Sequence, residues 1–302
     1  MYRSLFLRIC VTLALTEIIF VCKIHFQTSF FLSPARSPAL LYLCHMPEIA
    51  EVELIRRDLE PFLGRVISSA EVCDPDLHLN RTFLDGRTIV AARRHGKLLG
   101  LDLDSGQILA IHLRLTGNLL SWEELNARLR LRLEPEGCLS LVDSRRFATC
   151  DIVLPENFAA GSGPDLFDSL LTSDSLIARV GRSKRAVKAV LLDQHVLAGL
   201  GNYLTDETLW RSQITPTRPA TEISADEWET ILASAKALAR LALSRGGMSF
   251  SDYRRLDGSR GDMWQELYCY GHAGQPCTRC GTQLVKSSVG GRGTVACPGC
   301  QK

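Results

Sequence analysis

The chain has 302 residues, 46% of them hydrophobic and 23% charged, with a formal net charge of +2. That length suits two domains with real cores. The near-neutral balance excludes a globally basic nucleic-acid binder, so any such contact must come from a local patch. Four of the eleven cysteines form one tight pattern near the C-terminus, and the odd total argues for a reducing compartment and a metal over secreted disulfides.

Residues 1–45 carry four basic residues against the single acid Glu17, so the net charge of +2 becomes −1 without them. The apolar stretch Val11–Cys22 is interrupted by Glu17 and too short to span a membrane. It looks more like a signal core, yet no small-x-small cleavage site follows. A translated upstream region with a misplaced start, a targeting segment and a structured extension compete here. The first, a non-native upstream extension, is the expectation, because the chemistry below requires it.

Met46-Pro47-Glu48-Ile49-Ala50-Glu51 opens an amphipathic helix with apolar residues at Ile49, Val52, Ile55, Leu59 and Phe62. Pro47 suits a first helical position, and two glutamates suit the helix dipole. A second reading makes Met46 the true start. Its removal would leave Pro47 with a free secondary amine. An α-amino group is about 10% unprotonated at neutral pH, against about 0.04% for lysine. Pro47 would then be a nucleophile for Schiff-base chemistry, with Glu48 beside it as general acid or base.

Beyond Gly64 the period changes to two. Leu98–Leu103 and Gln107–Leu113 flank Asp104-Ser105-Gly106, a hairpin signal. Residues 128–133 alternate Arg and Leu, and Glu134-Pro135-Glu136-Gly137 turns that strand into Cys138–Val142. Such strands suggest an antiparallel β-sandwich. The three arginines share one face, expected to be solvated. Asn157–Asp165 is rich in small residues and reads as an interdomain connection. Helical patterns follow at 183–192 and from Gly201-Asn202 to about Ser212, ended by Pro216 and Pro219. Backbone amides at a helix start, with the Asn202 side chain, make a phosphate site. A capping box, Ser224-Ala225-Asp226-Glu227, starts another helix that stops at Gly246-Gly247. Residues 247–270 are polar with few apolar anchors, so a flexible surface loop is expected. Cys277-Thr278-Arg279-Cys280 and Cys297-Pro298-Gly299-Cys300, 16 residues apart, give a tetrahedral structural zinc site with no open position. Between them Val289–Thr294 forms a hairpin tip bearing Arg292.

Several of these segments match one family in order and spacing. Met-Pro-Glu-x-x-Glu at 46–51, His95-Gly96-Lys97, His112–Gly117, Asp143–Phe147, Gly199–Asn202 and the paired knuckles resemble the formamidopyrimidine-DNA glycosylase and endonuclease VIII family over nearly all of 46–302. The resemblance implies an α+β multidomain fold. It comprises an N-terminal helix and antiparallel β-sandwich (46–156), a linker (157–168), a helix-two-turns-helix DNA-binding domain (169–267) and a β-hairpin zinc finger (268–302). It implies a bifunctional DNA glycosylase and abasic-site lyase of base excision repair, with Pro47 as nucleophile, Glu48 as acid and Glu51 in support. Lys97, Asn202 and Arg292 would hold phosphates. Leu115, Arg145 and Phe147 would fill the gap left by an extruded nucleotide, which needs apolar, aromatic and guanidinium groups. Taken singly, these three are ordinary core or surface residues. Lys188 would lie near the damaged base, with Arg182, Lys184 and Arg185 giving a local positive patch.

The full-length 247–270 segment favours oxidised purines, such as 8-oxoguanine and formamidopyrimidines, over the oxidised pyrimidines of the endonuclease VIII branch. A non-catalytic damage-binding zinc protein is the other alternative, should Pro47 not be terminal. The partner expected is double-stranded DNA with oxidised bases or abasic sites, met by a monomer in the bacterial cytoplasm, at the nucleoid, with one Zn2+ and no membrane. Ala50, Arg114, Leu115 and Ser144 depart from the family's usual proline, glycine, methionine and proline, which bears on lesion spectrum more than on the reaction.

Overall fold

The computed structural model describes residues 46–249 and 253–302. The proposed extension at 1–45 and the middle of the 247–270 segment lie outside them. Helix α1 spans Ile49–Asp58 with Glu48 as its N-cap, so Pro47 precedes the helix and is not its first residue. The reason is local. Glu51 accepts a hydrogen bond from the Glu48 backbone N–H at 2.8 Å, a donor that proline lacks.

Strands β1 (Val66–Val72), β2 (Ile89–His95), β3 (Leu98–Leu103), β4 (Ile108–His112), β5 (Asn118–Leu120), β6 (Ala127–Glu134), β7 (Cys138–Val142) and β8 (Thr149–Val153) follow. They form two four-stranded antiparallel sheets, ordered β1-β6-β7-β5 and β2-β3-β4-β8. The expected β3–β4 hairpin is present, with Gly106 at φ +79° in its turn. Leu99, Leu101, Leu109, Ile111, Leu129, Leu131 and Leu141 fill the sandwich, together with Val52, Ile55 and Leu59 of α1.

The arginines of β6 correct the sequence reading. Arg128 and Arg130 are buried, not solvated. The neighbouring strand and the turn after it supply acids. Arg128 Nε meets Asp74 at 2.6 Å, Arg130 pairs with Glu71, and the more exposed Arg132 bridges Glu71 at 3.2 Å and Glu123 at 2.8 Å. Alternation located the polar face but not what covers it.

The second half contains α2 (Ser173–Val180), α3 (Val187–Leu191), α4 (Asn202–Arg211) and α5 (Ala225–Ser244), the last capped by the predicted Ser224/Glu227 box. Its core gathers Leu176, Val190, Leu204, Leu209, Trp228, Ile231 and Leu238, and also takes in Ile49 and Ala50 of α1. Helix α1 thus serves both cores. Strands β9 (Val285–Val289) and β10 (Arg292–Ala296) form the C-terminal hairpin, its two-residue turn made by Gly290 and Gly291 at φ +58° and +73°. No helix among the described residues is long and apolar enough to cross a membrane.

The segment after α5 is not the free loop expected. Tyr253 and Leu256 are buried in the sandwich core and Met263 in the helical one. Arg254 N–H donates to Asn118 Oδ1 at 2.8 Å, and Arg255 is ion-paired to Asp58.

Candidate active site and metal centre

The start of α1, the turn after β4, the N-terminus of α4 and the β9–β10 tip enclose a cleft of about 270 Å³. Met46, Glu48, Leu115, Asn202, Tyr270 and Arg292 line it. Pro47, between the lining residues Met46 and Glu48 in sequence, is buried.

Glu48 is 1% exposed. Its Oε2 accepts the Gly201 N–H at 2.6 Å and its Oε1 the Tyr203 N–H at 3.0 Å, so it sits on the open amides of α4. A Cβ at Gly201 would lie 2.3 Å from the Glu48 carboxyl carbon, which only glycine avoids. Burial pushes the Glu48 pKa up to about 8. Lys97 and the two amides pull it down, and Glu51 adds to the rise. At neutral pH it is largely a neutral acid, able to give a proton.

Glu51 gathers three segments of chain. It accepts from Glu48 N at 2.8 Å, Met248 N at 2.8 Å and the Tyr203 hydroxyl at 3.0 Å, and burial raises its pKa as well. Lys97 is the second residue of the tight β2–β3 turn, where Gly96 has φ +55° and a Cβ would meet Ala198 at 2.9 Å. Burial lowers the Lys97 ammonium pKa; Glu48 and Glu51 oppose that shift, and Arg292 adds to it.

The turn carrying Leu115 is held by groups the sequence reading passed over. His112 Nδ1 accepts the Arg114 backbone N–H at 3.0 Å, which fixes Arg114 at φ +56°. Burial, then Arg114 and Lys97, push the His112 pKa down to about 3, so the ring is neutral. Asp143 accepts from the Thr116 hydroxyl, from Arg145 N at 3.2 Å and from Ala148 N at 2.6 Å, tying this turn to the loop after β7. On that loop Arg145 and Phe147 are exposed, with the guanidinium 4.8 Å from the ring centroid. A single polar residue at a strand end gave no signal of either clasp.

Asn202 is the first residue of α4. Its Nδ2 donates to Gly293 O at 3.0 Å, while its buried Oδ1 has no partner among the described residues. Lys188, which the resemblance sets near the damaged base, is fully buried. Its Nζ is closed in by Asp206 Oδ1 at 2.6 Å, Thr294 Oγ1 at 2.8 Å and Gly293 O at 2.9 Å. All three ammonium donors are used inside the protein, so it fastens the hairpin to α4.

The four knuckle cysteines place their sulfurs within 4.8 Å of one another. Four sulfur donors in this grouping fit a tetrahedral Zn2+ with no coordination position open to substrate, a structural ion that shapes the hairpin holding Arg292.

Family models match the chain in three consecutive stretches. They are the formamidopyrimidine-DNA glycosylase N-terminal domain at 46–150, the formamidopyrimidine-DNA glycosylase H2TH domain at 162–254, and the zinc finger found in FPG and IleRS at 274–302. The formamidopyrimidine-DNA glycosylase of an Exiguobacterium species is 35% identical, over 85% of this chain and 100% of that protein. Its counterpart from a Roseiflexus species is 36% identical with the same coverage. Among solved structures, the MutM (FPG) protein of Thermus thermophilus superposes with a TM-score of 0.79 at 33% identity, covering 84% of this chain and 98% of that one. Lactococcus lactis Fpg in complex with DNA containing an abasic site gives a TM-score of 0.79 at 30% identity, covering 85% of this chain and 100% of that one. With the acid-lined cleft, the helix-two-turns-helix half and the zinc knuckles in one chain, this protein belongs to the formamidopyrimidine-DNA glycosylase family.

Proposed function

We propose that the chain is a bifunctional DNA glycosylase and abasic-site lyase of base excision repair, acting on oxidised purines in duplex DNA. The observation that carries the reading is Glu48: a buried acid, neutral at pH 7, one residue from Pro47 and in the field of Lys97. With Met46 removed, the Pro47 nitrogen attacks C1′ of the damaged nucleotide; the base leaves with the electron pair of the broken bond and is protonated as the proline nitrogen gives up its proton. Glu48 gives its proton to the sugar ring oxygen as the C1′–O4′ bond opens and the nitrogen lone pair forms an iminium. Loss of a proton from C2′ expels the 3′ phosphate, and a second elimination expels the 5′ phosphate. A one-nucleotide gap remains, flanked by phosphates.

In this scheme Glu51 positions Glu48. Lys97, Asn202 and Arg292 hold phosphates, while Leu115, Arg145 and Phe147 occupy the vacated stack. Lys188 contributes through the hairpin it fastens. The preference for purines is supported by the retained length of the segment after α5 and its anchorage at Tyr253, Leu256 and Met263. We place the domain boundaries at 46–156, 157–168, 169–267 and 268–302. Acting as a monomer on chromosomal DNA, the enzyme would work in the bacterial cytoplasm, at the nucleoid.

Borohydride trapping tests the chemistry. A chain beginning at Pro47 should form a covalent adduct with a duplex containing 8-oxoguanine, and faster than with thymine glycol. A chain retaining residues 1–45 should form none, since its Pro47 nitrogen is an amide. Preference for thymine glycol would move the enzyme to the pyrimidine branch, and no adduct with any lesion would leave only the binding role.

A further inference from the structure

Helix α4 ends against the zinc knuckles, and one of its side chains meets a metal-binding sulfur directly. The Trp210 indole Nε1–H donates to Cys277 Sγ at 3.4 Å. Indole nitrogen can only donate, and a sulfur accepts best as the thiolate, the form that binds metal. Two side chains pack on the ring. Arg279, which lies between Cys277 and Cys280, stacks 4.3 Å from one face and donates from Nη1 to Trp210 O at 2.9 Å. Tyr268 stacks on the ring with centroids 5.3 Å apart and planes 15° from parallel, and Arg211 lies 5.9 Å from the Tyr268 ring. Trp210 itself is 6% exposed, so this donor meets the sulfur with little competition from water.

We propose that Trp210 is an outer-shell positioning residue of the metal centre. Its N–H holds the Cys277 thiolate in place, slows loss of the ion and shields that sulfur from electrophiles. A packing residue would need only the ring; this role needs the nitrogen and its proton. The donated hydrogen bond draws electron density from a sulfur lone pair. That lowers the lone pair's energy without removing the sulfur from the metal. Burial of Trp210 and the Tyr268 stack keep its nitrogen from turning to solvent. The inference rests on reading the four cysteines as zinc ligands.

The test compares the wild type with Trp210→Phe and with replacement of Trp210 by isosteric benzothienylalanine, which keeps the bicyclic shape and lacks the donor. In the Co2+-loaded full chain, both replacements should move the sulfur-to-metal charge-transfer band to lower energy. In the Zn2+ protein, both should weaken zinc retention against a competing chelator by about 10- to 100-fold, the usual cost of losing an outer-shell partner. Alkylation of Cys277 by iodoacetamide should also be faster. Arg279→Gln, which removes a stacking cation and leaves the N–H, should keep the wild-type band. If the benzothienylalanine protein retains both band and zinc as the wild type does, the inference is overturned. A wild type that binds less than one metal per chain would instead remove the metal reading itself.

Discussion

Lys97 and Lys188 are both buried lysines, and their surroundings could hardly differ more. Lys188 has all three donors satisfied, by a carboxylate, a hydroxyl and a carbonyl drawn from α4 and β10. The Lys97 ammonium makes no hydrogen bond among the described residues; it feels Glu48, which lines the cleft, and Glu51 only through space. A buried charge with every bond filled is a strut. One left with open donors beside two carboxyls of raised pKa is kept for something that arrives later.

Replacing each lysine should break the two roles apart. Lys97→Met should lower the rate of lesion cleavage at least about a hundredfold, the scale of a lost electrostatic clamp. Its unfolding free energy in urea should change by less than about 1 kcal/mol, an ordinary single-site effect. Lys188→Met should do the reverse first, costing about 3–5 kcal/mol of stability because Asp206 is left buried and unpaired. Weakened DNA binding would then follow from a loosened hairpin. If Lys188→Met proves as stable as the wild type, the strut reading fails.

A pH profile sharpens the same contrast. With Glu48 near pKa 8, kcat/KM for base excision should be flat on its account up to about pH 8. Above that it should fall tenfold per unit as the acid ionises. The stability sign runs with it. The folded pKa lies above the ordinary value of 4.5, so the folded state holds the extra proton between those values. The group's contribution is therefore fully present below pH 4.5 and lost as pH rises towards about 8. Glu48→Gln should lose base excision, and its Tm relative to wild type should be higher at pH 8 than at pH 5. No shift between those pH values would mean the carboxyl is not protonated when buried.

The smallest expected effect concerns an exposed cation. Arg128 is ion-paired in the sandwich, whereas Arg114 stands outward at φ +56° with no side-chain partner among the described residues. A left-handed arginine is costly, and glycine adopts that region freely. Arg114→Gly should raise stability by up to about 1 kcal/mol, and if Arg114 meets a phosphate it should flatten the salt dependence of duplex binding by about 0.9 in log–log slope. An unchanged slope would exclude a phosphate contact by Arg114.

What could be read from the sequence was whatever is written locally. The apolar spacing of Ile49, Val52, Ile55 and Leu59, the Asp-Ser-Gly and Gly-Gly turns, the Ser224/Glu227 box and the paired cysteine knuckles each specify their geometry within a few residues. What escaped depends on partners far along the chain. The cover over Arg130 comes from Glu71, and the lock on Lys188 from residue 206 and the hairpin at 293–294. Tyr253 and Leu256 look isolated in a polar stretch until they meet a core drawn from residues 52–150. Glu48 became the cap, and Pro47 fell outside the helix, because the box with Glu51 needs a backbone proton that proline lacks.

Helix α1 gives Val52, Ile55 and Leu59 to one hydrophobic interior while Ile49 and Ala50 belong to the other. A rod shared in this way makes the two halves a single folding enterprise despite their separate architectures. A gene cut within 157–168 should yield fragments that precipitate alone and become soluble only when synthesised together.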